Sequence, residues 1–216
     1  MARGSVYFAA HPVDLLLYQN PALFHDLYVF KCTTLVLFTS GDRGIIGNYS
    51  RFLERGFEEA VSYMNQQPLN STWDTSEVQL NGKLVSLHSP RELPHVQVVY
   101  LRLPNSAPDG QAYPANDGGS LKKLYNKKIT TLATTDGSAV YTLESLQDLI
   151  ATIINKRGAG NINVLDYKTV VPEDNEKYCD HADHSVSARL VAEVMEKENI
   201  TTHLRGYETP HGQRKV

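Results

Sequence analysis

Histidine and aspartate recur at two places in this chain in spacings that suit metal chemistry. The first is His11-Pro12-Val13-Asp14, directly after the apolar run Ser5 to Ala10. Two intervening residues just past a strand let an imidazole and a carboxylate converge on one cation. The second is Asp180-His181-Ala182-Asp183-His184. His184 offers a third ligand, and three protein ligands leave a fourth position open for water, as in catalytic zinc sites. His181 and His184, three residues apart at the start of a helix, share one face, with Asp180 and Asp183 beside them to orient the rings. A capping cluster would account for the aspartates, which accept backbone N–H bonds at helix starts. It leaves the histidines unexplained, because a neutral or positive ring gains nothing from the helix dipole there.

The elements that must position these residues follow from hydrophobic patterning. Ser5 to Ala10 is β-branched and aromatic and stops abruptly at His11-Pro12, the way a buried parallel strand delivers polar residues at its C-terminal end. Thr33 to Phe38 is a second such run, ending in the turn Thr39-Ser40-Gly41-Asp42-Arg43-Gly44. Phe52, Leu53, Phe57, Ala60, Val61 and Met64 recur every three or four residues and predict an amphipathic helix over Tyr49 to Met64. Val78 to Leu87, broken by Asn81-Gly82, predicts a hairpin, and Val96 to Leu103 an alternating strand. Residues 104 to 120 are rich in Pro, Gly, Asn and Asp, and a loop that long is expected to border a pocket as a lid. Thr142 caps a helix to Lys156; Ile162 to Leu165 is a short strand; Val186, Leu190, Val191, Val194 and Met195 mark a last helix. Strands alternating with helices imply an α/β fold with a largely parallel sheet, in which ligands bind outside the carboxyl ends of the strands.

Composition narrows the function classes. At 216 residues the chain suits one domain with one sizeable core. A net charge of -3 provides no basic footprint for nucleic acid. No apolar stretch reaches the roughly 20 residues of a membrane span, and no signal pattern opens the chain, so a soluble protein is expected with its compartment left open. Cys32 and Cys179 lack metal-finger or C-x-x-C spacing and are expected as core or near-core thiols. A nucleotide-binding reading is poorer, since no G-x-G-x-x-G follows the first strand.

The run Phe8-Ala9-Ala10-His11-Pro12-Val13-Asp14 resembles the A-H-P-D-D signature of the LmbE-like, or PIG-L type, zinc deacetylase family, and Asp180-His181-Ala182-Asp183-His184 resembles its later H-x-D-H signature. Gln19-Asn20-Pro21, Thr39-Ser40-Gly41-Asp42, Arg102-Leu103-Pro104 and Ser120 to Tyr125 extend the likeness along most of the chain. The resemblance implies a Rossmann-like sheet flanked by helices, in a single domain over 1–216 that is shortened at its C-terminal end. It implies a zinc-dependent hydrolase removing acetyl groups from N-acetylated amino sugars or related amides. Carried across by position, His11, Asp14 and His184 would be zinc ligands. His181 would stabilise the oxyanion or protonate the leaving amine, Asp183 would orient His181, and Glu54 and Asp109 would contact substrate. Leu53 stands before Glu54 where members of the family often carry arginine. The family's general base is the first aspartate of A-H-P-D-D, and here that position is Val13. General-base catalysis, commonly worth about 10²- to 10⁴-fold, is then expected to be missing unless another carboxylate, such as Asp42, substitutes. The alternative is a metal-binding pseudoenzyme, or a protein using zinc as a Lewis acid without hydrolysis.

Overall fold

The protein is described by a computed structural model covering residues 4–173 and 180–209. Its first half runs β1 (Ser5–Ala9), α1 (Pro12–Leu17), α2 (Ala22–Tyr28), β2 (Thr33–Thr39), α3 (Tyr49–Met64), β3 (Trp73–Leu80), β4 (Lys83–Pro90) and β5 (Val96–Leu103). The second half continues with α4 (Leu121–Tyr125), β6 (Leu132–Ala133), β7 (Val140–Tyr141), α5 (Leu143–Arg157), β8 (Asn161–Leu165), α6 (Ala182–Lys197) and β9 (His203–Tyr207). The main sheet has the order β3-β4-β5-β2-β1-β8-β9, with β6 and β7 forming a separate small ladder. From β5 to β9 every neighbour is parallel, whereas β3 and β4 add antiparallel strands at one edge. The fold is therefore mixed α/β with a largely parallel sheet, as the alternation of elements implies.

Burial follows the pleat. Successive strand side chains point to opposite faces, so Val6 and Phe8 enter one apolar core while Tyr7 and Ala9 enter another. The second core is closed by Leu15 of α1, Leu23 and Leu27 of α2, and Phe57 and Val61 of α3. The first is closed by α4, α5 and α6 through side chains such as Leu121, Leu149, Ile153, Val186 and Leu190. Both faces of the central strands are covered, so β5 is buried nearly throughout instead of alternating as expected from its sequence.

Helix α5 begins where Thr142 accepts a bond from the Ser145 N–H and ends at Gly158 in the left-handed region. Its stripe Leu146, Leu149, Ile150, Ile153 and Ile154 is buried, each side chain worth about 1.5–3 kcal/mol against exposure. Truncating Leu149 to alanine would cost about 2–5 kcal/mol. The hairpin turn falls at Asn81-Gly82, both with positive φ, and its strands extend further than the sequence pattern reached. The short elements α1, α2, α4 and β9 are additional to that pattern.

Cys32 corrects an expectation. It is exposed, not a core thiol, because it lies in the connection just before β2. Cys179 lies outside the described residues. No helix among the described residues is long and apolar enough to cross a membrane.

Candidate metal centre

The chain leaves β1 towards β2 on one side of the sheet and comes back to β8 on the other. A crevice opens where neighbouring strands diverge in this way, outside their carboxyl ends. Residues following β1 and β8 face each other across it. On the β1 side, Pro12 occupies the first position of α1, where its missing N–H is no loss, and Asp14 reaches back so that Oδ2 accepts from the His11 N–H at 2.6 Å. On the β8 side His181 caps α6: its Nδ1 accepts from the Asp183 N–H at 3.1 Å. His184 sits one turn in, its Nδ1 held at 3.0 Å by Asp180 Oδ1.

Three ligand-type residues converge from these two helix starts. His11 Nδ1 lies 3.2 Å from His184 Nε2 and 3.1 Å from Asp14 Oδ2, while His184 Nε2 lies 3.1 Å from Asp14 Oδ1. Two facing ring nitrogens at that separation leave room for one hydrogen or one metal ion, not for two hydrogens. A tetrahedral ion with bonds of about 2.0–2.1 Å places its ligand atoms about 3.3 Å apart, so the donor set fits such an ion closely. His11, Asp14 and His184 could hold a metal ion; Asp14 and His184 are buried and His11 is partly so. His11, His181 and Asp183 form a second, overlapping group of ligand-type residues.

The electrostatics favour positive charge in the gap. Burial pulls the His11 and His184 rings down, but neighbouring carboxylates outweigh it. Asp14 and Asp183 raise His11 to about 9, and Asp14 and Asp180 raise His184 to about 10. Asp14 is buried, which opposes ionisation, yet the two rings hold it well below the usual carboxylate range. His181 is pushed down to about 4, chiefly by burial and further by the two other rings, against the pull of Asp183. Asp183 is lowered to about 2 against its burial by His11, His181 and the Ser106 N–H.

Asp183 is tied into the long loop after β5. It accepts from the Ser106 N–H at 2.9 Å, the Ser106 hydroxyl at 2.8 Å and the Asn105 amide at 3.1 Å. Its Oδ2 stands 3.5 Å from His11 Nε2 and 3.9 Å from His181 Nδ1, so it addresses both rings. Metal capture at His11 Nδ1 requires the ring proton on Nε2, where Asp183 is the acceptor at hand.

A pocket of about 610 Å³ opens over this cluster, lined by His11, Asp14, His181 and His184 together with Val13, Tyr18, Leu53 and Tyr113. Val13 is 46% exposed and faces the cavity with no hydrogen-bonding group to offer. Asn105, Ser106, Pro108 and Tyr113 bring the loop of residues 104–120 to the pocket wall. Tyr113 packs on Gly44, whose φ of +73° and lack of Cβ are both required, because a Cβ there would lie 2.7 Å from the tyrosine's own.

Three residues expected at the site are placed elsewhere. Asp42 is buried and accepts from the Ser40 hydroxyl, the Gly44 and Asn105 N–H groups and the Asn116 amide at 2.7–3.1 Å. It fastens two loops and does not line the metal pocket. Glu54 faces away from that pocket, while Leu53 beside it forms part of the wall. Its carboxylate is gripped by Arg102 at 2.7 and 3.0 Å and by Arg51 at 3.0 Å. Arg102 reaches it from a bulge at the end of β5, where the arginine takes a φ of +53° and the register with β2 shifts. Asp109 caps the turn to Gln111 and is not among the lining residues. Asn105 carries no motif of its own, although it opens the long loop expected to border the pocket; its amide nitrogen lies 2.7 Å from His11 Nε2 and donates to Asp183 Oδ2. Comparison with protein-family models gives no match and comparison with curated proteins gives none, so the resemblance rests on the motifs and on the site they build.

Proposed function

We propose that His11, Asp14 and His184 hold one zinc ion, and that the protein takes an N-acetylated amino sugar or related amide in the pocket above it, as an LmbE-like deacetylase whose hydrolysis is weakened by Val13. The observation that carries this reading is the triangle of nitrogen and oxygen atoms with edges of 3.1–3.2 Å at the carboxyl edge of the sheet. When bound, zinc polarises an amide carbonyl and lowers the pKa of water at its open position towards about 7. Asp180 fixes the His184 ring so that Nε2 faces the gap. Asp183 stands ready for the His11 proton, and its three donors from Asn105 and Ser106 keep it in place. His181 lines the pocket beside these residues, where its ring can donate to a developing oxyanion or return a proton to a leaving amine.

The missing function is removal of a proton from water. Asp14 is the one carboxylate lining the pocket among the described residues, and it is committed as a ligand. That favours slow hydrolysis and keeps a second reading alive, in which the site binds metal and ligand without turnover. Zinc titration of the purified chain should give near one equivalent, lost in His184→Ala. Tight, unaltered binding in that variant would end the proposal. Hydrolysis of N-acetylglucosaminides, compared between the chain and Val13→Asp, separates a weakened hydrolase from a non-hydrolytic protein.

A further inference from the structure

A second cleft, of about 500 Å³, lies between α3 and the outer strands and shares no lining residue with the metal pocket. Ser86 and His88 stand two residues apart on β4, so both project from the same face of the sheet into this cleft. Helix α3 lays Glu58 against them. The Ser86 hydroxyl is 3.1 Å from His88 Nε2, and His88 Nδ1 is 2.6 Å from Glu58 Oε1. The Tyr100 hydroxyl donates to the same Glu58 oxygen at 3.2 Å, and its ring meets the His88 ring edge-on at 4.8 Å, which fixes both partners.

The connectivity decides what this chain of bonds can do. A carboxylate on Nδ1 holds the imidazole in the tautomer that turns the Nε2 lone pair to the serine hydroxyl, the arrangement that activates a serine nucleophile. Ser86 and His88 are at least nine-tenths buried, yet both line the cleft, so the hydroxyl is shielded from bulk water without being sealed in. A histidine that merely filled space would need no serine on one nitrogen and no carboxylate on the other.

We propose that Ser86, His88 and Glu58 form a second, metal-independent site that cleaves small carboxylic esters. In the first step Ser86 Oγ bonds to the acyl carbon and its proton passes to His88 Nε2. The carbon–oxygen bond to the alcohol breaks, and that proton leaves with the alcohol. Water then attacks the acyl-serine, giving its proton to His88; the serine–acyl bond breaks and Ser86 takes the proton back, releasing the carboxylic acid. Glu58 holds the ring throughout.

The backbone of β4 is committed to pairing with β3 and β5, so it offers no oxyanion hole at Ser86. Charge on the tetrahedral oxygen falls instead to a side chain. Arg55 lines the cleft and has no ion-pair partner among the described residues. An exposed guanidinium is a poorer stabiliser than fixed N–H groups, so acylation of Ser86 is the primary readout and turnover is slow.

The test uses the full chain, pre-treated with a chelator, and a fluorophosphonate probe with p-nitrophenyl acetate as substrate. Mass spectrometry should place a single adduct on Ser86, with the same labelling rate before and after chelation. His88→Gln and Glu58→Gln, each keeping a polar group of similar shape, should label about 100-fold more slowly or less. Ester hydrolysis should fall with labelling. Absence of an adduct on Ser86 in the folded parent would overturn the proposal, a result that needs no variant to fold. Undiminished labelling in His88→Gln would overturn it as well. Neither result bears on zinc binding at His11, Asp14 and His184.

Discussion

Removing the side chain of Asp180 should weaken zinc binding although Asp180 is not a ligand. Its Oδ1 accepts from the His181 N–H at 2.7 Å and pairs with His184 Nδ1 at 3.0 Å, so one oxygen sets both the start of α6 and the direction of the ligand ring. Loss of such an outer partner typically costs about 10- to 100-fold in metal affinity, or about 1.4–2.7 kcal/mol. Asp180→Ala should lie at the upper end, because His184 loses its acceptor and the first turn of the helix loses a bond worth about 1 kcal/mol. Asp180→Asn keeps an acceptor but not the charge and should lie near tenfold. The assay is competition against a chromogenic chelator, with circular dichroism to verify that α6 remains helical. An Asp180→Ala protein that is folded and binds zinc as tightly as the parent would refute the assignment of His184 as a ring-oriented ligand.

Other expectations follow from the same geometry. Val13→Asp should raise zinc-dependent hydrolysis of N-acetyl sugars by about 10²- to 10⁴-fold while Val13→Asn does not, measured at saturating zinc; equal rates in all three would move the base to another residue. Breaking the buried Glu54–Arg102 pair by Glu54→Gln or Arg102→Met should cost about 3–5 kcal/mol in urea denaturation, and Glu54→Leu with Arg102→Met should recover much of it. A loss no greater than that of a surface substitution would count against the pair. Asp136 is an exposed residue whose carboxylate is partly shielded, which opposes ionisation, yet bonds from Ser138 and Thr134 and the Arg102 charge lower it to about 2. Its pKa is depressed on folding, so its contribution is full above about pH 4 and is lost as pH falls through about 2; Asp136→Asn should flatten acid denaturation across that window.

Much of this molecule could be read from its residues, for identifiable reasons. Helix α3 was legible to its ends because apolar residues recur every three or four positions over sixteen residues, although Phe52 of that stripe is exposed and Glu54 is buried instead. The hairpin was legible because Asn81-Gly82 supplies positive φ at both central positions. Helices α1 and α2 were not, since six or seven residues give too few turns for a period. The ligand triangle could be anticipated because each half is a compact motif at a strand or helix end. Asn105 and the partners of Asp42 could not, because those contacts are made between loops whose approach depends on the whole sheet. Glu54 shows the limit of positional analogy. A helix turns about 100° per residue, so Leu53 and Glu54 face different cavities.

The two halves of the ligand triangle are 173 residues apart in sequence. An unfolded chain has His11 and Asp14 as a local pair of weak donors, but it meets His184 only after closing a loop of that length. The third donor therefore arrives with the docking of α6 against β1 and β8. A nascent chain could not complete the triangle before α6 has been made. A bound ion would act as a clasp between the segment after β1 and the start of α6, adding about 2.7 kcal/mol of stability at a free concentration 100 times its dissociation constant. Unfolding of either segment alone would release it, so metal occupancy would report on the integrity of both at once.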